Sequence, residues 1–223
     1  MKDRIVVGIT GASGAAYGVA ALKALRAYGI ETHLVISKSA QITMAHELDL
    51  GLPEARALAD VVYKPSDIAA AISSGSFITM GMLIAPCSIR TLSEIAGGVT
   101  SSLMSRAADV VLKERRRLVL MVRETPYHLG HLRSMAQVTE MGAIVMPPVP
   151  AFYTRPQSVH DIVNHSVSRA LDLFGLSSKL TPRWGEDLVI KSARDENDRE
   201  DPVMGDGGRM IGCALRGRTA DGG

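Results

Sequence analysis

The chain has 223 residues, of which 46% are hydrophobic and 22% charged, and its formal net charge is +2. That balance describes a globular protein long enough for one sizeable α/β core, and basic residues spread along the chain give no nucleic-acid surface. Aromatic residues make up 4%, with a single Trp, which excludes a base-stacking module.

No apolar run approaches the roughly 20 residues needed to cross a bilayer. The N-terminus enters a strand-like run at once, without a signal-peptide pattern. Cys87 and Cys213 cannot make a disulfide framework and fit a reducing cytosol. The tract Lys113–Arg117 reads as a solvated helix end.

In chain order, apolar runs alternate with segments of helical period, the pattern of a doubly wound, mainly parallel three-layer α/β sheet of the Rossmann-like or flavodoxin-like kind. Arg4–Ile9 reads as the first strand, Thr10–Gly14 as its turn, and Ala15–Ala27 as a helix ended by Tyr28 and Gly29. Thr32–Ser37 is the second strand, followed by a helix over 40–48. Residues 51–76 are less regular, with Ser73–Ser76 a loop. Met80–Ala85 reads as a strand stopped by Pro86. Helical pieces follow at 91–96 and 102–116, then the strand Leu118–Val122, a helix over 129–141, a strand over 143–146, and a Pro-rich loop from Pro147 to Pro150. A helix over 158–174 carries Ile162, Val163, Val167, Ala170, Leu171 and Phe174 as an apolar stripe. Beyond Trp184 the composition turns to Gly, Asp and Arg. Residues 1–186 therefore read as one domain and 187–223 as a flexible tail.

In an open parallel sheet ligands bind beyond the carboxyl ends of the strands. There the sequence places Thr10–Gly14, Ser37, Pro86–Ser88, Arg123–Glu124 and Pro147–Tyr153, all on one edge. The turn Gly11–Gly14 joins a strand to a helix whose N-terminus offers free N–H groups to a phosphate. It lacks the GK[ST] of a Walker A loop and the spacing of a dinucleotide fingerprint. Ser88 and Thr91 can hydrogen-bond a ring or a phosphate. Cys87 reads as a small buried hydrophobe rather than a nucleophile.

Arg106 and Lys113 are seven apart on one helix face. With Arg123 and Arg169 they would make a cationic pocket for a second phosphate. In a strand the Arg123 and Glu124 side chains point to opposite faces, which disfavours a bridge between them and leaves Glu124 for acid–base work. Glu47 is a second candidate carboxylate, against the ordinary reading of a surface helix glutamate. His128 and His131 have no carboxylate or thiol cluster at metal-ligand spacing, so no metal is expected. His33, His46, His160 and His165 read as surface or packing residues.

The blocks GITGASGAAYG, VISKSAQ, SSGSF, PCS, RAADVVLKERR, VRETPYHLGHL, MPPVPAFYTRPQSV and a late RW run collinearly over residues 4 to about 186. Together they resemble the UbiX-type flavin prenyltransferases. The resemblance implies a Rossmann-like fold in a homododecamer with active sites at subunit interfaces. It also implies transfer of a dimethylallyl group from dimethylallyl monophosphate to N5 and C6 of reduced FMN, without a metal. The prenylated FMN would pass to a UbiD-type decarboxylase.

Matched by position, Gly11, Ala12, Ser13, Ser37, Ser88, Ile89, Arg90, Thr91 and Arg123 would bind FMN. Ser13, Glu47 and Glu124 would be catalytic, and Arg106, Lys113, Tyr153 and Arg169 would bind the donor phosphate. The sequence departs from the family at Ser101 and Ser102, where relatives often carry Asn or Asp, and in its longer tail. Two alternatives share the fold: an FMN-dependent decarboxylase, against which the segment SSLMSRAADV argues, and a non-catalytic FMN carrier, which needs no second phosphate pocket.

Overall fold

The computed structural model describes residues 3–177 together with 181, 182 and 187. Trp184, Cys213 and residues 188–223, to which the tail was assigned, lie outside the described residues. Every element belongs to the unit Met1–Arg183.

Six strands form one sheet, β1 (Arg4–Ile9), β2 (Glu31–Ile36), β3 (Val61–Tyr63), β4 (Gly81–Cys87), β5 (Arg117–Val122) and β6 (Ile144–Val145). Their spatial order is β3-β2-β1-β4-β5-β6, and every adjacent pair is parallel. This is the Rossmann order, in which the connection reverses between β1 and β4 and leaves a crevice there. The helices are α1 (Ala15–Ala27), α2 (Lys38–Glu47), α3 (Leu52–Arg56), α4 (Ile89–Ala96), α5 (Leu103–Lys113), α6 (Leu129–Glu140) and α7 (Val159–Asp172).

The near-continuous apolar runs of the strands are explained by burial on both faces. Ile5, Val7, Ile9, Leu83, Ala85, Val119 and Met121 point into a core shared with α1, α2 and α7. The alternate residues Val6, Met82, Ile84, Leu118, Leu120 and Val122 enter a second core with α4, α5 and α6. Three layers result. Among the described residues no helix is long and apolar enough to cross a membrane.

Three expectations from the sequence need correction. Pro86 does not stop β4: the strand runs through it to Cys87 with an irregularity in its pairing to β5, and the Ala85–Pro86 bond is cis. The irregular stretch 51–76 contains α3 and the short edge strand β3, whose three residues are too few to show a period. The helix expected over 102–116 ends at Lys113, because Arg115 turns into the left-handed region at φ 56°.

Helix α1 begins directly over the crevice, and its position is set by a close approach. A Cβ at Gly18 would stand 2.5 Å from the Ala85 carbonyl oxygen and 2.7 Å from the Ile9 side chain. At its other end Gly29, at φ 69°, and Ile30 close the helix with bonds back to Arg26 and Leu25 and send the chain straight into β2. Replacing Gly18 with Val forces α1 off the sheet. The expected cost is about 1–3 kcal/mol, as for other overpacked cores, read as a lower midpoint of urea unfolding. An unchanged midpoint would contradict this packing.

Candidate active site

The carboxyl ends of β1 and β4 are the centre of the site. Their paired register ends at Gly8 and Ile84; beyond it the Thr10 N–H donates to the Pro86 carbonyl at 3.3 Å, and the Thr10 side chain reinforces the link. The Thr10 hydroxyl, 1% exposed, donates to the Pro86 carbonyl at 2.7 Å and accepts from the Ser88 N–H at 2.7 Å. The two loops that leave these strands are thereby tied to each other at the base of the crevice. Ser88 caps α4 by accepting from Thr91 N, and its hydroxyl donates to the Thr91 hydroxyl at 3.2 Å. Ile89 is half-buried behind this cap, whereas the Arg90 side chain lies in solvent and pairs with Glu94 at 3.0 Å. Cys87 is fully buried, and burial pushes its thiol up to about 12, so it is packing and not a nucleophile.

The turn Gly11–Gly14 presses against the start of α2. A Cβ at Gly11 would fall 2.4 Å from the Ser39 hydroxyl oxygen, so only glycine allows this approach. Ser37 caps α2 by accepting from Ala40 N, and its hydroxyl is 3.1 Å from that of Ser39. Two hydroxyls thus stand at the N-terminus of α2, directly beside the turn. Ser39 was not singled out from the sequence, because a serine in the first turn of a helix carries no signal of its own.

The N-terminus of α1, expected to face a phosphate, is instead occupied by a protein carboxylate. Glu47 Oε2, at the end of α2, accepts from Gly14 N at 2.8 Å and Ala15 N at 2.9 Å. Gly14, at φ 102°, provides the backbone conformation that aims both N–H groups outward. Burial works to raise the Glu47 carboxyl. The Ser13 hydroxyl, the two N–H groups and the Arg123 guanidinium outweigh it and hold the carboxyl below the usual range. Ser13, Glu47 and Arg123 therefore share one neighbourhood.

Arg123 and Glu124 lie just past the end of β5 at Val122, so strand alternation does not govern them. The Arg123 N–H still continues the ladder to the Cys87 carbonyl at 3.0 Å. Glu124 Oε1 accepts from Thr125 N at 2.9 Å, and the Thr125–Pro126 bond is cis. Tyr17, in the first turn of α1, is a further neighbour. Its phenol is raised by burial, against a hydrogen bond with Ser166 and the charge of Arg123.

Tyr153 sits in the loop before α7, with its hydroxyl 3.0 Å from His165 Nε2. Burial lowers the His165 imidazole, aided by the charge of Arg169, which pairs with Asp172 at 2.7 Å.

Arg106 and Lys113 do not join this cluster within one chain. Arg106 donates to the Ser73 carbonyl at 3.2 Å and pairs with Asp109 at 2.7 Å. Lys113 ends α5 at the opposite, amino edge of the sheet. There it pairs with Glu114 and stands 2.8 Å from where a Gly75 Cβ would be. Between it and Arg123 runs the whole of β5, roughly 20 Å at about 3.3 Å per residue.

The flavoprotein family profile matches residues 1–171. The flavin prenyltransferase UbiX of Escherichia coli is 59% identical over 184 residues, covering 81% of this chain and 97% of that protein. The chain belongs to the UbiX flavin prenyltransferase family. A UbiX crystal structure in complex with FMN and dimethylallyl pyrophosphate superposes with TM-score 0.82 at 51% identity, over 82% of this chain and 98% of the other. A dodecameric FMN-dependent UbiX-like decarboxylase from E. coli gives TM-score 0.80 at 50% identity, over 81% and 98%.

The Glu47 cap has a pH signature. Its folded value is depressed, so its stabilisation is complete above the ordinary carboxylate range and is lost as pH falls through the folded value. Glu47→Ala is expected to cost about 1 kcal/mol at neutral pH, the usual worth of an N-terminal cap. The gap between variant and parent should close on acidification in thermal melts, and a gap independent of pH would refute the assignment.

Proposed function

We propose that the protein is a flavin prenyltransferase. It joins the dimethylallyl group of dimethylallyl monophosphate to N5 and C6 of reduced FMN, releases phosphate, and supplies prenylated FMN to a UbiD-type decarboxylase in the cytoplasm. The observation that carries this reading is the cluster of Ser13, Glu47 and Arg123 at the β1/β4 crevice of a UbiX-family chain.

The residues present fit a flavin mononucleotide. With α1 already capped by Glu47, the open phosphate seat is the start of α2, where Ser37 and Ser39 stand beside the Cβ-free Gly11. Gly11, Ala12 and Ser13 would line one side of the flavin, and Ser88 to Thr91 the other. The exposed guanidinium of Arg123 would bond to its polar edge. Reduced FMN supplies the electron-rich ring positions that are alkylated.

The chain's own residues supply the charges. Breaking the allylic C–O bond leaves positive charge on carbon and negative charge on phosphate. Glu47, held ionised, faces the former, and Arg169 with Tyr153 would bind the latter. Glu124 is the base for the ring proton and the acid for the departing phosphate. Arg106 and Lys113 would enter from a neighbouring copy in a homododecamer, since their own chain keeps Lys113 at the far edge of the sheet. Arginine and lysine then take the part that a divalent ion plays in other prenyl transfers.

Anaerobic protein given reduced FMN and dimethylallyl monophosphate is expected to return a flavin heavier by one C5 unit by mass spectrometry, with or without EDTA. An unchanged flavin mass would exclude the transferase and leave the carrier reading. Glu124→Gln should bind FMN as the parent does and form product about 100-fold more slowly, the usual worth of general acid–base catalysis.

A further inference from the structure

The tract Lys113–Arg117, which reads in the sequence as a solvated helix end, is not solvated alike along its length. Arg116 turns back against the chain, and its guanidinium donates to the Phe77 carbonyl at 2.7 Å and the Gly75 carbonyl at 2.6 Å. Those acceptors are neutral, and the carboxylate it reaches, Glu114 at 4.0 Å, also pairs with Lys113. The Arg115 and Arg117 side chains are exposed and have no ion-pair or hydrogen-bond partner among the described residues.

All three arginines line one cavity of about 460 Å³, whose apolar wall is Met80, Ile144 and Phe174. Among the described residues no carboxylate lines it. Met80 precedes β4, Arg117 opens β5 and Ile144 opens β6, so the cavity lies at the amino edge of the sheet. The whole of β5 separates it from Arg123 and the crevice.

The backbone adds an independent observation. Arg115 takes the left-handed position that closes α5, at φ 56°, with its N–H on the Leu112 carbonyl and the Arg116 N–H on the Val111 carbonyl. Glycine ordinarily fills that position, because a side chain there is strained. Such strain persists at sites where the side chain has a use that glycine cannot serve.

We propose that this cavity is a second anion site, built for a diphosphate, either free or carried by an organic ester. It stands apart from the assignment of the crevice.

Three guanidinium groups around one recess repel one another, and the carbonyls that hold Arg116 do not cancel its charge. A multiply charged anion removes that repulsion, and each planar fork matches two phosphate oxygens. Arg116 keeps donors beyond the two its carbonyls use, so it is the fixed member of the site. Arg115 and Arg117 are the members left to close on the ligand. The volume falls within the range of small-molecule sites, roughly 300–1,000 Å³, and exceeds what one phosphate fills. A recess of this size favours a small anion over a protein surface, and the apolar wall leaves a place for the organic part of an ester.

The test is calorimetric titration of inorganic pyrophosphate into the full chain, loaded with oxidised FMN and saturated with dimethylallyl monophosphate. Arg115→Gly and Arg117→Ser are each expected to weaken binding about tenfold, and the double variant about 100-fold, the worth of hydrogen bonds to a charged group. Arg117→Lys, which keeps the charge and loses the fork, should lose about threefold. Arg115→Gly should melt at or above the parent midpoint, since glycine suits the left-handed position, so its loss of affinity is not a loss of fold.

ADP titrated in the same way separates the two sources. Equal affinity for ADP and pyrophosphate means that the phosphates alone are held, tighter ADP means that the apolar wall takes the ester, and loss of either in the double variant upholds the site. Equal pyrophosphate affinity in the parent and the double variant overturns the inference, as does a parent that binds no pyrophosphate at millimolar concentration. Pyrophosphate held in the crevice, as when the transferase reading fails and the donor leaves it empty, survives in the double variant, whereas binding at the amino edge does not.

Discussion

The site depends on what happens where β1 and β4 stop pairing. A parallel ladder holds two strands together by evenly spaced bonds, and here it ends before either strand does. Two diverging loops could then splay apart with solvent between them. The Thr10 hydroxyl prevents this by using both of its hydrogen-bonding capacities, one on the Pro86 carbonyl and one on the Ser88 N–H. Because Ser88 is also the cap of α4, this bond fixes the start of a helix as well as the floor of the crevice. The turn 11–14 and the loop 88–91, the two walls between which a flavin would lie, are thus tied by one residue, through its backbone N–H and its hydroxyl.

A second constraint is electrostatic. The N-terminus of a helix above the switch point of a Rossmann sheet ordinarily serves a phosphate. Here Glu47 reaches across from α2 and fills that position, so the positive end of α1 stabilises a fixed protein anion. The phosphate seat proposed for the flavin is displaced by one helix, to the hydroxyls of Ser37 and Ser39. The displacement has a chemical consequence: it leaves an ionised carboxylate beside Ser13 and Arg123, where a developing cation can be met. A phosphate at the same place could not be tuned by neighbouring residues and would leave with its ligand.

The architecture was legible because the strands are buried on both faces. Runs such as those in β1, β4 and β5 can hardly be anything else, and their carboxyl ends marked the edge. What was illegible lay in pairings between distant segments. Glu47 looked like a surface glutamate because nothing in a helix end reveals that two N–H groups more than 30 residues away will claim it. His165 looked like a surface or packing residue because a helical stripe shows which face is inward but not what waits there. The rule that neighbouring strand residues face opposite ways was applied to Arg123 and Glu124, where it has no force. Both lie past Val122, where the chain leaves the sheet. Acid–base work for Glu124 was read from its place at the strand end, and its part in prenyl transfer came from the resemblance.

The four donor-phosphate candidates also bear on assembly. A helix that returns across a parallel sheet must end near the amino edge, because the next strand begins there. Lys113 ends such a helix, and Arg123 stands just past the far end of the strand that follows, so no rearrangement short of unfolding brings them together in one copy. If both serve one phosphate, the second copy is a geometric necessity rather than an added regulatory feature. The surface near Tyr153 agrees. Val149 and Phe152, each 72% exposed, and Val159, 76% exposed, form a run of large apolar side chains that a lone chain would leave in water. Burying such residues against a neighbour stabilises the assembly by about 1.5–3 kcal/mol each when complete. That gain would be made at the rim of the site, so the contact that builds the oligomer and the contact that completes the phosphate pocket would form together.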